Sequence, residues 1–294
     1  MLYFLSSCLL LVKTTCGHWL LWLILLCPAP LMASAADKPC DKLLRVHLDL
    51  HAPSAYLDGE RILGMDAELV EAILTRAGCR IQWHTVPMTG ARILKSLQDG
   101  RIDMMIRASK TPRRLQYAYF TRPYRQEVVG LFRRHTTELP STLTLEQAWQ
   151  TKLRLIGPAS GWYGEEFERY RQQWQQTNLY TAYPDAAVAT ELLFAHPSRG
   201  ELLWVDADIF YHFLGPGRRQ KVRLLDNYLL NSPAMLMITK SSINSQDLQA
   251  INRAIFELSH QGKLSAIEER YRPPELRSLL EQASHKHSTA DPDR

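Results

Sequence analysis

Strand-like and helix-like segments alternate along this chain, and the alternation runs through two complete sets. In the first, residues 43–48 read as a strand, and Leu69, Val70, Ile73 and Leu74 share one face of a helix stopped at Gly78. Residues 80–86 read as a second strand, a helix carries Ile93, Leu94 and Leu97 to Gly100, and residues 102–106 form a third strand. Parallel strands need a crossover connection and a helix is the usual one, so this order predicts a parallel sheet flanked by helices. The second set repeats the logic: strand 153–156, helix 165–174, a strand near Leu179, helix 186–194 and strand 202–205. A last strand, 234–239, and a helix lined by Leu248, Ile251, Ile255 and Leu258 have no sheet of their own. Returning them to the first set gives an α/β chain of two lobes, residues 41–132 with 234–274 and residues 133–233. Two hinge crossings then join the lobes, near 131–136 and 230–233.

The N-terminus follows another pattern. Lys13 is the only charged side chain in residues 1–35, residues 19–26 are continuously apolar, and Ala33-Ser34-Ala35 precedes the first acid, Asp37. That is a secretory leader, with cleavage expected near Ala35. An uncleaved anchor is disfavoured because the apolar run is short and Pro28 and Pro30 interrupt it, and Leu26 argues against lipidation at Cys27. Three of the five cysteines leave with such a leader. Cys40 and Cys79 remain, and an even pair in an oxidising compartment reads as a disulfide, with two buried free thiols as the alternative.

A formal net charge of +5 on 294 residues, with no basic run interleaved with aromatics, excludes a nucleic-acid groove. Gly157-Pro158-Ala159-Ser160-Gly161 is not a nucleophile elbow, and neither a phosphate-binding loop nor a zinc-protease helix occurs, so neither cofactor nor enzyme is expected. His47, His51 and His84 lack ligand spacing, although the loop carrying His51 faces the expected cleft. His285 and His287 fall in a polar tail, 275–294, expected to be disordered, so no metal site is expected there.

Four segments carry a family resemblance: Leu63-Gly64-Met65-Asp66-Ala67-Glu68-Leu69, Leu97-Gln98-Asp99-Gly100-Arg101-Ile102-Asp103, Thr111-Pro112-Arg113-Arg114 with Phe120-Thr121-Arg122-Pro123-Tyr124, and residues 252–271. Their order and spacing over residues 43–271 resemble the family 3 periplasmic solute-binding proteins, the polar amino-acid binders of ABC transporters. The resemblance implies a type 2 periplasmic-binding fold, a periplasmic and monomeric protein, a small polar ligand such as an amino acid or carboxylate, and an ABC permease as partner. A periplasmic cyclohexadienyl dehydratase and a ligand-presenting sensory module share the same pattern and stand as alternatives. For the dehydratase, Glu201, Asp206 or Glu165 would be the acid.

Carried over residue by residue, the resemblance makes Arg114 the fork for a ligand carboxylate, because a planar guanidinium matches a carboxylate in two bonds. Ser109 and Thr111 are the hydroxyls beside it. Asp206 takes the ligand's ammonium, with the capping of the following helix as its alternative role. Tyr56 and Trp162 are candidates for the aromatic contacts that the family places near Ser54 and Gly90, where this chain has none. Arg107 stands where small residues are usual and, if it faces the cleft, adds a positive charge.

Overall fold

The computed structural model of the protein describes residues 40–281. The chain runs through β1 (Leu43–His47), the hairpin β2 (Tyr56–Asp58) and β3 (Arg61–Leu63), α1 (Met65–Ala77), β4 (Arg80–His84), α2 (Gly90–Gln98), β5 (Met104–Ala108), the single turn α3 (Pro112–Leu115) and β6 (Ala118–Phe120). A long strand, β7 (Arg125–Arg134), leads to α4 (Leu145–Gln150), β8 (Leu155–Pro158), α5 (Glu165–Gln175), β9 (Tyr180–Tyr183), α6 (Ala186–Phe194), β10 (Leu202–Asp206) and α7 (Ala207–Arg219). A second long strand, β11 (Val222–Thr239), precedes α8 (Ser245–His260) and α9 (Lys263–Tyr271), and residues 274–281 are again helical.

Strands β4, β1 and β5 pair in parallel, and so do β9, β8 and β10. Between these parallel halves β11 and β7 pair antiparallel, β11 flanking β5 and β7 flanking β10, with β6 also on β11. The two lobes therefore share one sheet, and its central ribbon is the hinge. Each half buries its own core. In the first, Leu69, Ile73 and Leu74 of α1 and Ile251 and Ile255 of α8 close over Leu44, Val46 and Ile238, the apolar faces that helical spacing predicts. In the second, Phe132, Leu193, Val205 and Phe210 pack on one side, while Leu155, Phe167, Trp174 and Trp204 pack on the other.

The ribbon moves the first crossing. Residues 129–133 of β7 already pair with β10, whereas residues 125–128 pair with residues 231–234 of β11. The first crossing lies at 125–128 rather than 131–136, because β7 continues through the hinge as one strand, Gly130 included, which stays paired with Leu229 instead of making a turn. The second lies at 231–234, beside the expected 230–233, and β11 starts twelve residues before the strand expected at 234.

A third passage between the halves was not expected. Leu264 of α9 sits in the first core, yet Leu276 is fully buried in the second with Phe132, Phe210 and Leu214. Between them Arg272 donates to Asp208 of α7 at 2.7 Å and pairs with Glu268 at 2.7 Å. Residues 275–281 are thus helical and anchored, correcting the expectation of a disordered tail over that stretch. The tail beyond 281, with His285 and His287, and the expected leader 1–35 lie outside the described residues.

Cys40 and Cys79 are disulfide-bonded, their Cα atoms 4.9 Å apart. The bond ties the entry of β1 to the entry of its neighbour β4, where Leu43 and Arg80 are in register. Closing a loop with a sequence separation of 39 restricts the unfolded chain, a contribution on the order of 4 kcal/mol. Several residues of the recognised segments act as joints in this frame. Gly64 has φ 125°, and a Cβ there would meet the Ala55 Cα at 2.6 Å, so only glycine fits. Asp103 binds the Arg45 backbone and guanidinium and receives Ser242 Oγ at 2.6 Å. Thr121 Oγ1 accepts the Leu236 amide.

Candidate functional site

A cavity of about 550 Å³ opens between the halves at the carboxyl ends of the parallel strands, where α/β sheets generally bind ligands. The first half contributes His47, Asp49, His51, Ser54, Met105, Ile106, Arg107, Ser109 and Arg114, and the hinge contributes Glu127, Val129, Ser232 and Pro233. The second half contributes the segment from Pro158 to Gly164, Tyr183, Asp185, Val205, Asp206 and Ile209.

Arg114 is fixed by the turn α3. Thr111 caps that turn by accepting the Arg114 amide at 3.4 Å, and Arg114 Nη1 donates to the Ser109 carbonyl at 2.7 Å. Thr111 therefore shapes the loop and does not line the cavity, whereas Ser109 does. Burial pushes the Arg114 pKa down, and among the described residues no carboxylate pairs with it. The site thus holds a half-buried cation whose forked donors are only partly used.

Arg107, at the end of β5, does face the cleft, and its backbone holds φ 53°, a conformation seldom adopted by non-glycine residues. Its Nε donates to Glu127 Oε1 at 2.5 Å and its Nη2 to Asp206 Oδ2 at 2.9 Å. Burial works against its charge, but Glu127, Asp206 and Asp66 overcome that and hold the guanidinium ionised. The Arg107–Asp206 pair spans the two halves. Asp206 also fulfils its capping role, Oδ1 accepting the Ile209 amide at 3.2 Å at the start of α7.

Behind the cavity the hinge carries a buried ion network. Arg125 of β7 donates Nε and Nη2 to Asp66 of α1 at 2.8 and 3.1 Å, and its Nη1 lies 3.7 Å from Asp208. Asp66 also receives Ser54 Oγ at 2.6 Å and Tyr124 OH at 3.0 Å. Burial opposes its ionisation, yet Arg125 and Arg107 outweigh it and hold the carboxyl down at about 2.

For Asp206 the balance is reversed. Burial and Asp208 outweigh Arg107, and its pKa is pushed up to about 6 from the ordinary 3.8. An acid that binds its proton more tightly when folded favours folding at low pH, and that contribution is lost as pH rises from 3.8 through 6. The groups around it are Arg107 of β5, Arg125 and Glu127 of β7 and Asp208 of α7. We expect the stability of the wild type relative to Asp206→Asn to rise by on the order of 2 kcal/mol as pH falls from 7 to 4. Urea titrations at several pH values check this, and a flat difference refutes it.

At the N-terminus of α5, Tyr163 donates its amide to Glu168 at 3.0 Å, and Glu165 and Glu166 share the first turn. Trp162 lines the cavity at its rim with 44 % of its surface exposed, and Tyr163 packs edge-on against Phe167 while burial pushes its hydroxyl to about 12. Tyr56 lies on the β2–β3 hairpin and, like Gly90, does not line the cavity. Glu201 pairs with Arg154, and Glu165 is exposed outside the lining, so neither candidate acid reaches the cavity. Glu127 was not anticipated. Its signal was the spacing of Arg125 and Glu127, two residues apart and so on one face of a strand, just before the stretch 128–132.

An α/β protein with a polar cleft between two halves of one sheet, joined by an antiparallel hinge, has the type 2 periplasmic-binding fold. Residues 44–274 match the bacterial extracellular solute-binding proteins, family 3, and the chain belongs to that family. Solved structures agree on the fold. An ancestral arginine-binding protein bound to arginine is 20 % identical, with 78 % of this chain and 98 % of that one covered at a TM-score of 0.60. The arginine-, lysine-, histidine-binding protein ArtJ from Geobacillus stearothermophilus is 17 % identical over 81 % and 100 % of the two chains, also at 0.60. A histidine kinase sensor domain with similarity to periplasmic binding proteins is 17 % identical over 80 % and 97 %, at 0.60. No curated protein sequence matches. Among the described residues, no helix is long and apolar enough to cross a membrane.

Proposed function

We propose that this chain captures a small carboxylate-bearing solute, an amino acid or a related organic acid, between its two lobes in the periplasm and delivers it to an ABC permease. The observation that carries this is Arg114, a guanidinium burdened by burial, lining the interlobe cavity without a carboxylate partner among the described residues. A ligand carboxylate relieves that burden and accepts the unused fork. Ser109 and Arg107 line the same wall as Arg114, Asp206 faces them from the other half, and Trp162 lies at the rim. Binding in such a cleft favours the closed arrangement because only there do both walls touch the solute.

The similarity to arginine-binding proteins supports an amino-acid or carboxylate ligand. The similarity to a histidine kinase sensor domain supports a second destination for the same binding event, a membrane sensor in place of a permease. A thermal-shift panel of amino acids and small organic acids tests the capture itself. A solute that binds only the folded state raises the melting temperature, by about 2.7 kcal/mol of added stability at a hundred times its dissociation constant. Absence of a shift with every carboxylate in the panel overturns the proposal.

A further inference from the structure

An α-amino acid brings two charges to a cleft, and the far wall here has already been supplied with one of them by the protein. Arg107 reaches across from β5 and places Nη2 2.9 Å from Asp206 Oδ2, while Asp206 Oδ1 is taken by the Ile209 amide. The guanidinium is tethered at its other end, Nε on Glu127 at 2.5 Å, and the backbone beneath it keeps a positive φ that this double tether holds in place. The other two carboxylates at the cavity are also engaged: Asp49 with His47 at 3.1 Å, and Asp185 as the cap of α6, accepting the Val188 amide at 2.9 Å. Glu127 and Asp206 thus share the Arg107 cation, while Asp49 meets a ring nitrogen and Asp185 a backbone amide. Of the two guanidiniums on the cavity wall, Arg107 has its carboxylates and Arg114 has none among the described residues, only a backbone carbonyl.

We infer that Arg107 occupies the place of a ligand ammonium and sets the specificity of the site for carboxylates that carry no amine, an inference that rests on Arg114 holding the carboxylate. An incoming ammonium that takes Asp206 has to break the Arg107 Nη2 bond and lie beside a like-charged guanidinium that Glu127 still holds at the wall. An amine-free acid leaves the pair intact and lays its uncharged body against Ile93, Met105, Val129 and Ile209. Arg107 is a specificity-determining residue here, and its pair with Asp206 joins the two walls without help from the solute.

The test uses calorimetry on matched acids that differ only by the α-amine: leucine against 4-methylpentanoate, phenylalanine against 3-phenylpropionate, glutamate against glutarate. In at least one pair the wild type is expected to bind the deaminated member tenfold or more tightly, and Arg107→Ala, which vacates Asp206, is expected to shift that ratio at least tenfold toward the amino acid. Arg107→Lys, which keeps a cation for Asp206, is expected to stay near the wild-type ratio. A wild type that prefers the amino acids, or a ratio unmoved by Arg107→Ala, overturns the inference. The wild-type ratio needs no variant, so it decides the matter even if Arg107→Ala does not fold. Preference for amino acids together with loss of binding in Arg114→Ala removes the role of Arg107 and leaves the carboxylate site standing, whereas no binding of either member of any pair removes both.

Discussion

Arg125→Ala is expected to cost about 3–5 kcal/mol of folding stability, the range found when one partner of a buried ion pair is removed. For a chain of this size that corresponds to a fall of roughly 10 °C in melting temperature. The side chain is 1 % exposed and touches both halves: Asp66 of α1 through two bonds, and Asp208 of α7 at 3.7 Å. Asp66 has hydroxyl donors in Ser54 and Tyr124 but, among the described residues, no second guanidinium in hydrogen-bond contact, so removing Arg125 leaves a carboxylate in the core with only the more distant charge of Arg107 to offset it. Arg272 still pairs with Asp208, which limits the damage on that side. Asp66→Leu combined with Arg125→Met is expected to recover most of the loss, since the penalty belongs to the stranded charge rather than to the missing attraction. The acid limb gives a second check. The Asp66 carboxyl is held down at about 2, so its contribution is present above the ordinary 3.8 and is lost as pH falls from there through 2. Urea titration of the single and double variants at pH 7 and pH 3 measures both effects. A single variant within 1 kcal/mol of the wild type defeats the account.

The sequence disclosed the frame better than the joints within it. Helix α6 falls where its spacing places it, and α1, α5 and α8 differ from expectation only at their ends, because apolar residues at helical intervals and the stops at Gly78 and Gly262 are local signals. The hinge left no such trace. A crossing made inside a continuous strand leaves no boundary to read, so residues up to 132 read as part of the first lobe, and only the pairing of β7 with β10 and β11 reveals where one half ends. The anchored C-terminal helix carried a faint signal in Pro273-Pro274 followed by Leu276, Leu279 and Leu280, outweighed by the polar residues around it. At the site, Arg114 was legible through the segment that carries it. The partnership of Arg107 with Asp206 was not, because it joins residues 99 apart and depends on a positive φ at an arginine. Tyr56 misled for a related reason: an aromatic in the right loop turned out to belong to a hairpin that does not line the cavity.

Arg114→Ala is expected to weaken binding of the carboxylate solute by about 2–5 kcal/mol, or roughly 30-fold to several thousand-fold, the cost of truncating one partner of a desolvated, hydrogen-bonded charge pair. Arg114→Lys keeps the charge and loses the planar fork, so its affinity is expected to fall between those of the wild type and the alanine variant. What separates a ligand anchor from a structural arginine is the effect on the empty protein. Arg125 is held charged by carboxylates of its own chain, whereas burial lowers the Arg114 pKa and no carboxylate among the described residues offsets that cost. Removing a guanidinium that is desolvated and has no carboxylate partner among the described residues takes away a burden, and among those residues the side-chain hydrogen bond surrendered is the one to the Ser109 carbonyl. The unliganded Arg114→Ala protein is therefore expected to melt at or slightly above the wild-type temperature while losing most of the shift that the solute produces. Calorimetry gives the affinity and a thermal scan of the empty protein gives the stability. If the empty variant is destabilised by 2 kcal/mol or more while the solute still binds as before, Arg114 is a structural residue, and the carboxylate must be held elsewhere in the cavity.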